Sequence, residues 1–241
     1  MGIVVSLVAT LWTISSYALS SDSSVAASAR SAQAQSDNCV CSTPAAHNSV
    51  SSNDDDGDPV EQLLRATVAI DGNGVYGAGI LIDPRRGLIL TSHHVVEDMR
   101  KPLATMKDGR ASEAVLIASN RKLDLAVLSA PGLKSTSQPP PRLGDPTKLR
   151  PGEEVFTIGS PRQLPFTVTR GIVSFVDRPM EEARYLQLDM AINEGNSGGP
   201  VFNSRGEIVA VMSFILKRAQ GLSFALPISY VTTAFSSSPE L

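Results

Sequence analysis

The stretch Asn193-Glu194-Gly195-Asn196-Ser197-Gly198-Gly199-Pro200 decides how the rest of the chain is read. Glycines on both sides of a serine let the backbone turn sharply, expose the hydroxyl and aim successive amide N–H groups at one point, as stabilisation of an oxyanion requires. A serine hydroxyl alone is a poor nucleophile, so this reading demands a base and an orienting carboxylate elsewhere. Leu90-Thr91-Ser92-His93-His94-Val95-Val96, a strand end leading into a short helical turn, offers the base. Asp124 offers the carboxylate, set against the apolar run Leu125-Ala126-Val127-Leu128. An acid there is costly to bury unless it meets a hydrogen-bond donor, and an imidazole N–H is such a donor.

Outward from these residues the pattern is one of short apolar runs separated by turn residues. Runs at 67–70, 76–83, 87–91, 113–118 and 125–129 make five or six strands of one unit. Gln138-Pro139-Pro140-Pro141 is extended and unfit for a central strand, so it reads as a connector. Runs at 154–158, 166–176, 185–188, 200–202, 208–214 and 222–226 form a second series, and residues 228–235 read as a closing helix. The expectation is an all-β architecture of two antiparallel barrels, about residues 60–135 and 142–227, with a cleft between them and a short C-terminal helix. Composition agrees. Of 241 residues 42% are hydrophobic and 5% aromatic, while 18 Gly and 16 Pro favour turns and strands over a helical bundle.

The net charge of -3 hides a division: residues 1–58 hold one base, Arg30, and six acids, leaving 20 bases and 18 acids beyond. No basic face for nucleic acid is indicated. The apolar run at 3–19, followed by Ser20, Ser21 and Asp22, has the shape of a secretory h-region, with Ala18-Leu19-Ser20 as a small-x-small cleavage site, although no Lys or Arg precedes it. Residues 1–20 are therefore expected to be a signal peptide or a membrane anchor, placing the protein outside the cytoplasm. Residues 21–59, rich in Ser and Asp and ending in the acid run 54–58, are expected to be a disordered tether. Cys39 and Cys41 are too few and too local to staple the fold, and a closed zinc site needs more N/S ligands than the tether holds, so no metal or cofactor is expected.

The motifs together resemble the HtrA (Deg) serine proteases, which have the chymotrypsin fold of two six-stranded barrels. The resemblance covers about residues 60 to 235. It rests on Gly77-Ala78-Gly79-Ile80-Leu81-Ile82, the 90–96 stretch, Leu123-Asp124-Leu125-Ala126-Val127-Leu128, Ile158-Gly159-Ser160-Pro161, Val168-Thr169-Arg170-Gly171-Ile172-Val173-Ser174, residues 188–200 and Gly221-Leu222-Ser223-Phe224-Ala225-Leu226-Pro227, seven motifs in the family's order. The chain order His, Asp, Ser is also that of a chymotrypsin-type triad.

The resemblance implies Ser197 as nucleophile, His94, which directly precedes the Val-Val pair, as general base, and Asp124 as the residue holding its tautomer. It implies an oxyanion hole from the amides of Gly195 and Ser197, with Asn196 as a further candidate, and a small apolar specificity pocket from Ala191, Ile192, Ser223 and Phe224. Ala191 stands where trypsin-like members selecting Lys or Arg carry an acid, so cleavage after small or medium aliphatic residues of unfolded polypeptides, in quality control, is expected. A homo-oligomer, a trimer in the family pattern, is implied as well, although the tether has no aromatic cluster. The sequence stops at Leu241, where most of the family continues into PDZ domains, and the short Asp71-Gly72-Asn73-Gly74 turn leaves no room for the long loop some relatives insert there. The alternative is a protease-like binding or chaperone module without turnover.

Overall fold

The computed structural model describes residues 59–180, 183–215 and 221–236. The expected leader, Cys39, Cys41 and the acid run 54–58 lie outside the described residues. The first described element is helix α1 (Pro59–Ala66), with Pro at the first helical position, Glu61 in the first turn and Arg65 in the last, an order that suits the helix dipole. It buries Leu64 and Ala66.

The first β unit comprises β1 (Thr67–Gly72), β2 (Val75–Asp83), β3 (Leu88–Ser92), β4 (Leu103–Met106), β5 (Ala111–Glu113), β6 (Val115–Asn120) and β7 (Leu125–Ser129). Helix α2 (His93–Val96) follows β3 directly. The strands are antiparallel in the order β5-β4-β1-β2-β3-β7-β6. Only Ala114 separates the two outer strands, and its N–H bonds to the Pro102 carbonyl at 2.8 Å. β5 and β6 are thus two halves of one bent segment, and the seven pieces make a curled half-barrel of six strand positions. Asn73 and Gly74, at φ 53° and 78°, close the β1–β2 hairpin in the two-residue turn that Asn-Gly favours.

The second unit is a closed barrel of β8 (Glu154–Gly159), β9 (Thr167–Met180), β10 (Ala183–Met190), β11 (Pro200–Asn203), β12 (Ile208–Ile215) and β13 (Ser223–Pro227), ordered β10-β13-β12-β11-β8-β9. Helix α3 (Tyr230–Ala234) comes last. Between the units the chain carries 3-10 turns at Pro131–Leu133 and Pro146–Lys148 and a single parallel bridge from Leu143 to Ile208 of β12, and Gln138 donates to the Arg65 carbonyl at 2.7 Å.

Period-2 alternation sorts the core into layers. Val68, Ile70, Leu81, Ile89, Ala126 and Leu128 fill the first unit, and Val155, Val173, Leu188, Val201, Met212 and Ala225 fill the second. The other face of β3 and β7 (Leu88, Leu90, Leu125, Val127) packs with Ile158, Phe202, Phe224 and Leu226 in a cluster shared by both units. Both faces of β3 and β7 are buried, which is why each reads as an unbroken apolar run. The shared cluster also fixes the seam where the chemistry-bearing residues meet.

Candidate active site

Each element end brings one group to the seam. β3 runs into α2, so His93 and His94 sit at the strand's end. β7 pairs with β3 as far as Ser92 opposite Leu125, which sets Asp124 beside the two histidines. Asp124 adopts φ 52°, a left-handed conformation that Asp tolerates better than most residues, and the turn before it is braced by the Leu123 N–H bond to Asn120 Oδ1 at 3.1 Å.

Asp124 collects several donors. Its Oδ1 accepts the His94 backbone N–H at 2.9 Å, its Oδ2 lies 2.7 Å from His94 Nδ1, and the Ser213 hydroxyl donates to Oδ2 at 3.4 Å. With Asp124 ionised, the short contact puts a proton on Nδ1 and leaves Nε2 with a free lone pair. His94 is raised above the ordinary histidine value of 6.5, chiefly by this hydrogen bond, against partial desolvation, with further help from the charges of Asp124 and Glu97.

His93 differs. It is buried, its backbone N–H bonds to the Asp124 carbonyl at 3.1 Å, and its Nε2 lies 3.6 Å from Glu97 Oε2. Neither ring nitrogen makes a hydrogen bond among the described residues.

Ser197 stands on the turn between β10 and β11. Asn196 and Gly199 N–H bond to the carbonyls of Asn193 (3.2 Å) and Asn196 (3.0 Å), the Ser160 N–H holds the Gly195 carbonyl at 2.9 Å, and the Ala78 N–H holds that of Ser197 at 2.9 Å. Gly195 has φ 101°, and a Cβ there would overlap the Ser160 carbonyl. A side chain is excluded on both counts. The Asn196 amide is committed to Asn193, whereas the amides of Gly195 and Ser197 form no hydrogen bond among the described residues. The Arg162 N–H takes the Glu194 carbonyl at 3.3 Å, and in a planar trans peptide the Gly195 N–H then points the opposite way. The Ser197 hydroxyl donates to the Ser213 carbonyl at 3.3 Å. Ser213 thus links Ser197 to Asp124.

An open cleft of about 910 Å³ contains His94, Ser197 and Gly195, with Ile192, Ser213 and Phe214 among its walls. Of the four positions expected in a specificity pocket, Ile192 lines this cleft and Ala191 is exposed at the end of β10. Ser223 and Phe224 are buried in β13, where Ser223 Oγ donates to the Leu188 carbonyl at 3.1 Å and the Phe224 ring stacks on Phe214 at 5.1 Å. Ser213, Phe214, Arg162, Gln163, Val75 and Tyr76 are cleft residues that the sequence did not single out. For Ser213 the available signal was a serine inside the apolar run of β12, where the structure buries it. Among the described residues no three His, Cys, Asp or Glu side chains are grouped as a metal site would need.

A half-barrel and a closed barrel with a serine, an imidazole and a carboxylate at their seam define the chymotrypsin class of fold. Residues 77–211 match the family model described as a trypsin-like peptidase domain, and the chain belongs to that family. It is 41% identical over 158 residues to a probable periplasmic serine endoprotease, DegP-like, of Halomonas elongata, covering 63% of this chain and 32% of that protein. It is 38% identical over 159 residues to the putative serine protease HhoB of Synechocystis, covering 63% and 37%. The chain therefore spans about a third of the length of the curated relatives it matches. Among solved structures, the serine endoprotease from Yersinia pestis matches with TM-score 0.65 at 32% identity over 74% of this chain and 64% of that one. The HtrA-type protease AlgW with a tripeptide matches with TM-score 0.69 at 28% identity over 74% and 62%. The resemblance to HtrA proteases stands on these relatives as well as on the motifs.

Proposed function

We propose that this chain is a serine endopeptidase acting on unfolded polypeptides outside the cytoplasm, in protein quality control. The observation that carries the reading is the hold of Asp124 on His94, at both its backbone N–H and its Nδ1, in a cleft shared with Ser197 and two uncommitted amides. In this mechanism the Ser197 hydroxyl turns from the Ser213 carbonyl to His94 Nε2 and gives up its proton as Oγ bonds to the scissile carbonyl carbon. The amides of Gly195 and Ser197 receive the oxyanion. His94 then returns the proton to the leaving amine as the C–N bond breaks; water, deprotonated by the same imidazole, attacks the acyl carbon, and the imidazole hands that proton to Ser197 Oγ as the ester bond breaks and the acid leaves.

The open cleft suits an extended chain, and Ile192 with Phe214 gives it an apolar wall for small or medium aliphatic side chains. Export through residues 1–20, attachment to a membrane through residues 3–19 and assembly into a homo-oligomer belong to the same reading. They are supported by the leader-like run and by the periplasmic naming of the relatives. One observation favours the second reading, a binding module without turnover: the serine hydroxyl rests on Ser213.

The test is digestion of denatured casein and of a peptide library by the full chain and by Ser197→Ala. Cleavage after aliphatic residues by the first alone supports the peptidase; intact substrates with both, from folded protein, favour the binding module.

Two further outcomes follow from the geometry. Activity should rise with pH through a midpoint above 6.5, because the Asp124 bond stabilises the protonated imidazole, which cannot act as the base. A kcat/KM profile flat from about pH 5 to 8 contradicts a histidine base. Gly195→Ala should lower kcat about 10²–10³-fold by displacing one oxyanion donor. The same variant should lose more than the about 1–2 kcal/mol that a non-glycine residue at positive φ costs, because its Cβ also meets the Ser160 carbonyl. Steady-state kinetics beside a thermal melt separates the two effects.

A further inference from the structure

Two charged side chains of the cleft, Arg162 and Glu194, are left unused by the proposed chemistry. Arg162 belongs to the Pro161–Gln163 turn, where Arg162 and Gln163 take φ values of 49° and 65°. Left-handed conformations cost non-glycine residues about 1–2 kcal/mol each. Here they are held by the Arg162 N–H bond to the Glu194 carbonyl at 3.3 Å and the Leu164 N–H bond to the Pro161 carbonyl at 2.9 Å. The turn packs against β2, so Arg162 and Gln163 form one wall of the cleft together with Val75 and Tyr76. Ile192, Ser213 and Phe214 belong to the β10 end and to β12. Arg162 is exposed, and its guanidinium forms no ion pair or hydrogen bond among the described residues.

We infer that Arg162 selects substrates carrying an Asp or Glu side chain close to the cleaved bond, on the leaving-group side. The inference rests on the peptidase reading for its direction: if the Ile192–Phe214 wall takes the acyl part of the substrate, the chain beyond the bond passes Tyr76 and Arg162. A guanidinium offers a carboxylate two parallel N–H donors, which an amide or an ammonium in the substrate cannot use as well. Glu194 carries the opposite charge in the same cleft, so the acid is favoured at one position and not along its whole length.

The experiment uses neutral extended peptides with Glu, Gln or Lys walked through the positions on either side of the cleaved bond. Binding is read as a Kd with the full-length Ser197→Ala protein, and cleavage as kcat/KM with Ser197 intact. Glu at one leaving-group position should be favoured over Gln by about threefold, the scale of an exposed ion pair. The preference should vanish in Arg162→Ala, turn toward Lys in Arg162→Glu, and weaken at high salt. Equal binding of Glu and Gln peptides at every position overturns the inference, as does a Glu preference that survives Arg162→Ala. A Lys preference removed by Glu194→Gln assigns selection to Glu194 and overturns it too. Arg162-dependent binding without any cleavage sustains the acidic selection and contradicts only the peptidase reading.

Discussion

Truncating His94 to alanine is expected to lower kcat by about 10⁶, the scale seen when one member of a triad acting as a unit is removed. Truncating His93, the adjacent residue, is expected to leave kcat within about tenfold and to act on stability instead, by about 1–3 kcal/mol. The contrast follows from the backbone. At the start of α2 successive side chains diverge, and only His94 has its Nδ1 on the Asp124 carboxylate, at 2.7 Å. His93 is buried, and its nearest carboxylate is Glu97, at 3.6 Å. Kinetics of the two variants, with circular dichroism to show that both are folded, checks the assignment. A larger loss in His93→Ala would reverse it.

Asp124→Asn is expected to keep the fold and to lose about 10⁴ in kcat, as the corresponding change does in a triad of this type. The physical reason lies in how many donors the carboxylate serves. Both oxygens accept in the native site, from the His94 backbone N–H, from His94 Nδ1 and from the Ser213 hydroxyl. An asparagine has one oxygen and one NH₂. If the NH₂ faces Nδ1, the imidazole must carry its proton on Nε2 and cannot accept one from Ser197. If the amide is reversed, the NH₂ meets the His94 backbone N–H, donor against donor. The variant should also bring the His94 midpoint down, since the Asp124 bond is the largest cause raising it. The sign has a counterpart in stability. A histidine raised in the folded state stabilises fully below its unfolded value, and the contribution is lost as pH rises through the folded one. Asp124→Asn should therefore flatten stability against pH just above 6.5. A loss of kcat under about tenfold would contradict the orienting role.

The outline of both β units and the order of the chemistry-bearing residues were legible because each rests on a local signal. Val, Ile and Leu alternate or run together in β2, β3, β7 and β12, and Gly195 stands where the backbone must take φ 101°. The parts missed are those whose local signal is weak. β4 and β5 are 4 and 3 residues long and owe their pairing to β1 and to each other. α1 is an 8-residue helix favoured by Pro59 at its start, Glu61 and Arg65 at its ends and Leu64 in the shared core, and the runs around it read as strands. β9 and β10 extend to Met180 and from Ala183, past Asp177-Arg178-Pro179, which by composition reads as a turn. An Arg184 to Asp177 ion pair and Arg178 over the Phe175 ring brace that extension. Ser213 and Arg162 reach the cleft only through tertiary placement, Ser213 beside Asp124 from 89 positions away in the chain. No spacing rule announces such a partner.

Covalent labelling distinguishes an activated Ser197 from an inert one. A fluorophosphonate loses fluoride to an activated serine and leaves a phosphonate ester on its oxygen, so mass spectrometry of the labelled full chain reports which hydroxyl is the nucleophile. One adduct is expected, on Ser197, forming faster as His94 loses its proton, absent in Ser197→Ala and His94→Ala, and retained in His93→Ala. A folded protein that takes no label anywhere from about pH 5 to 8, or takes it on another residue, would rule out Ser197 as a nucleophile activated by His94.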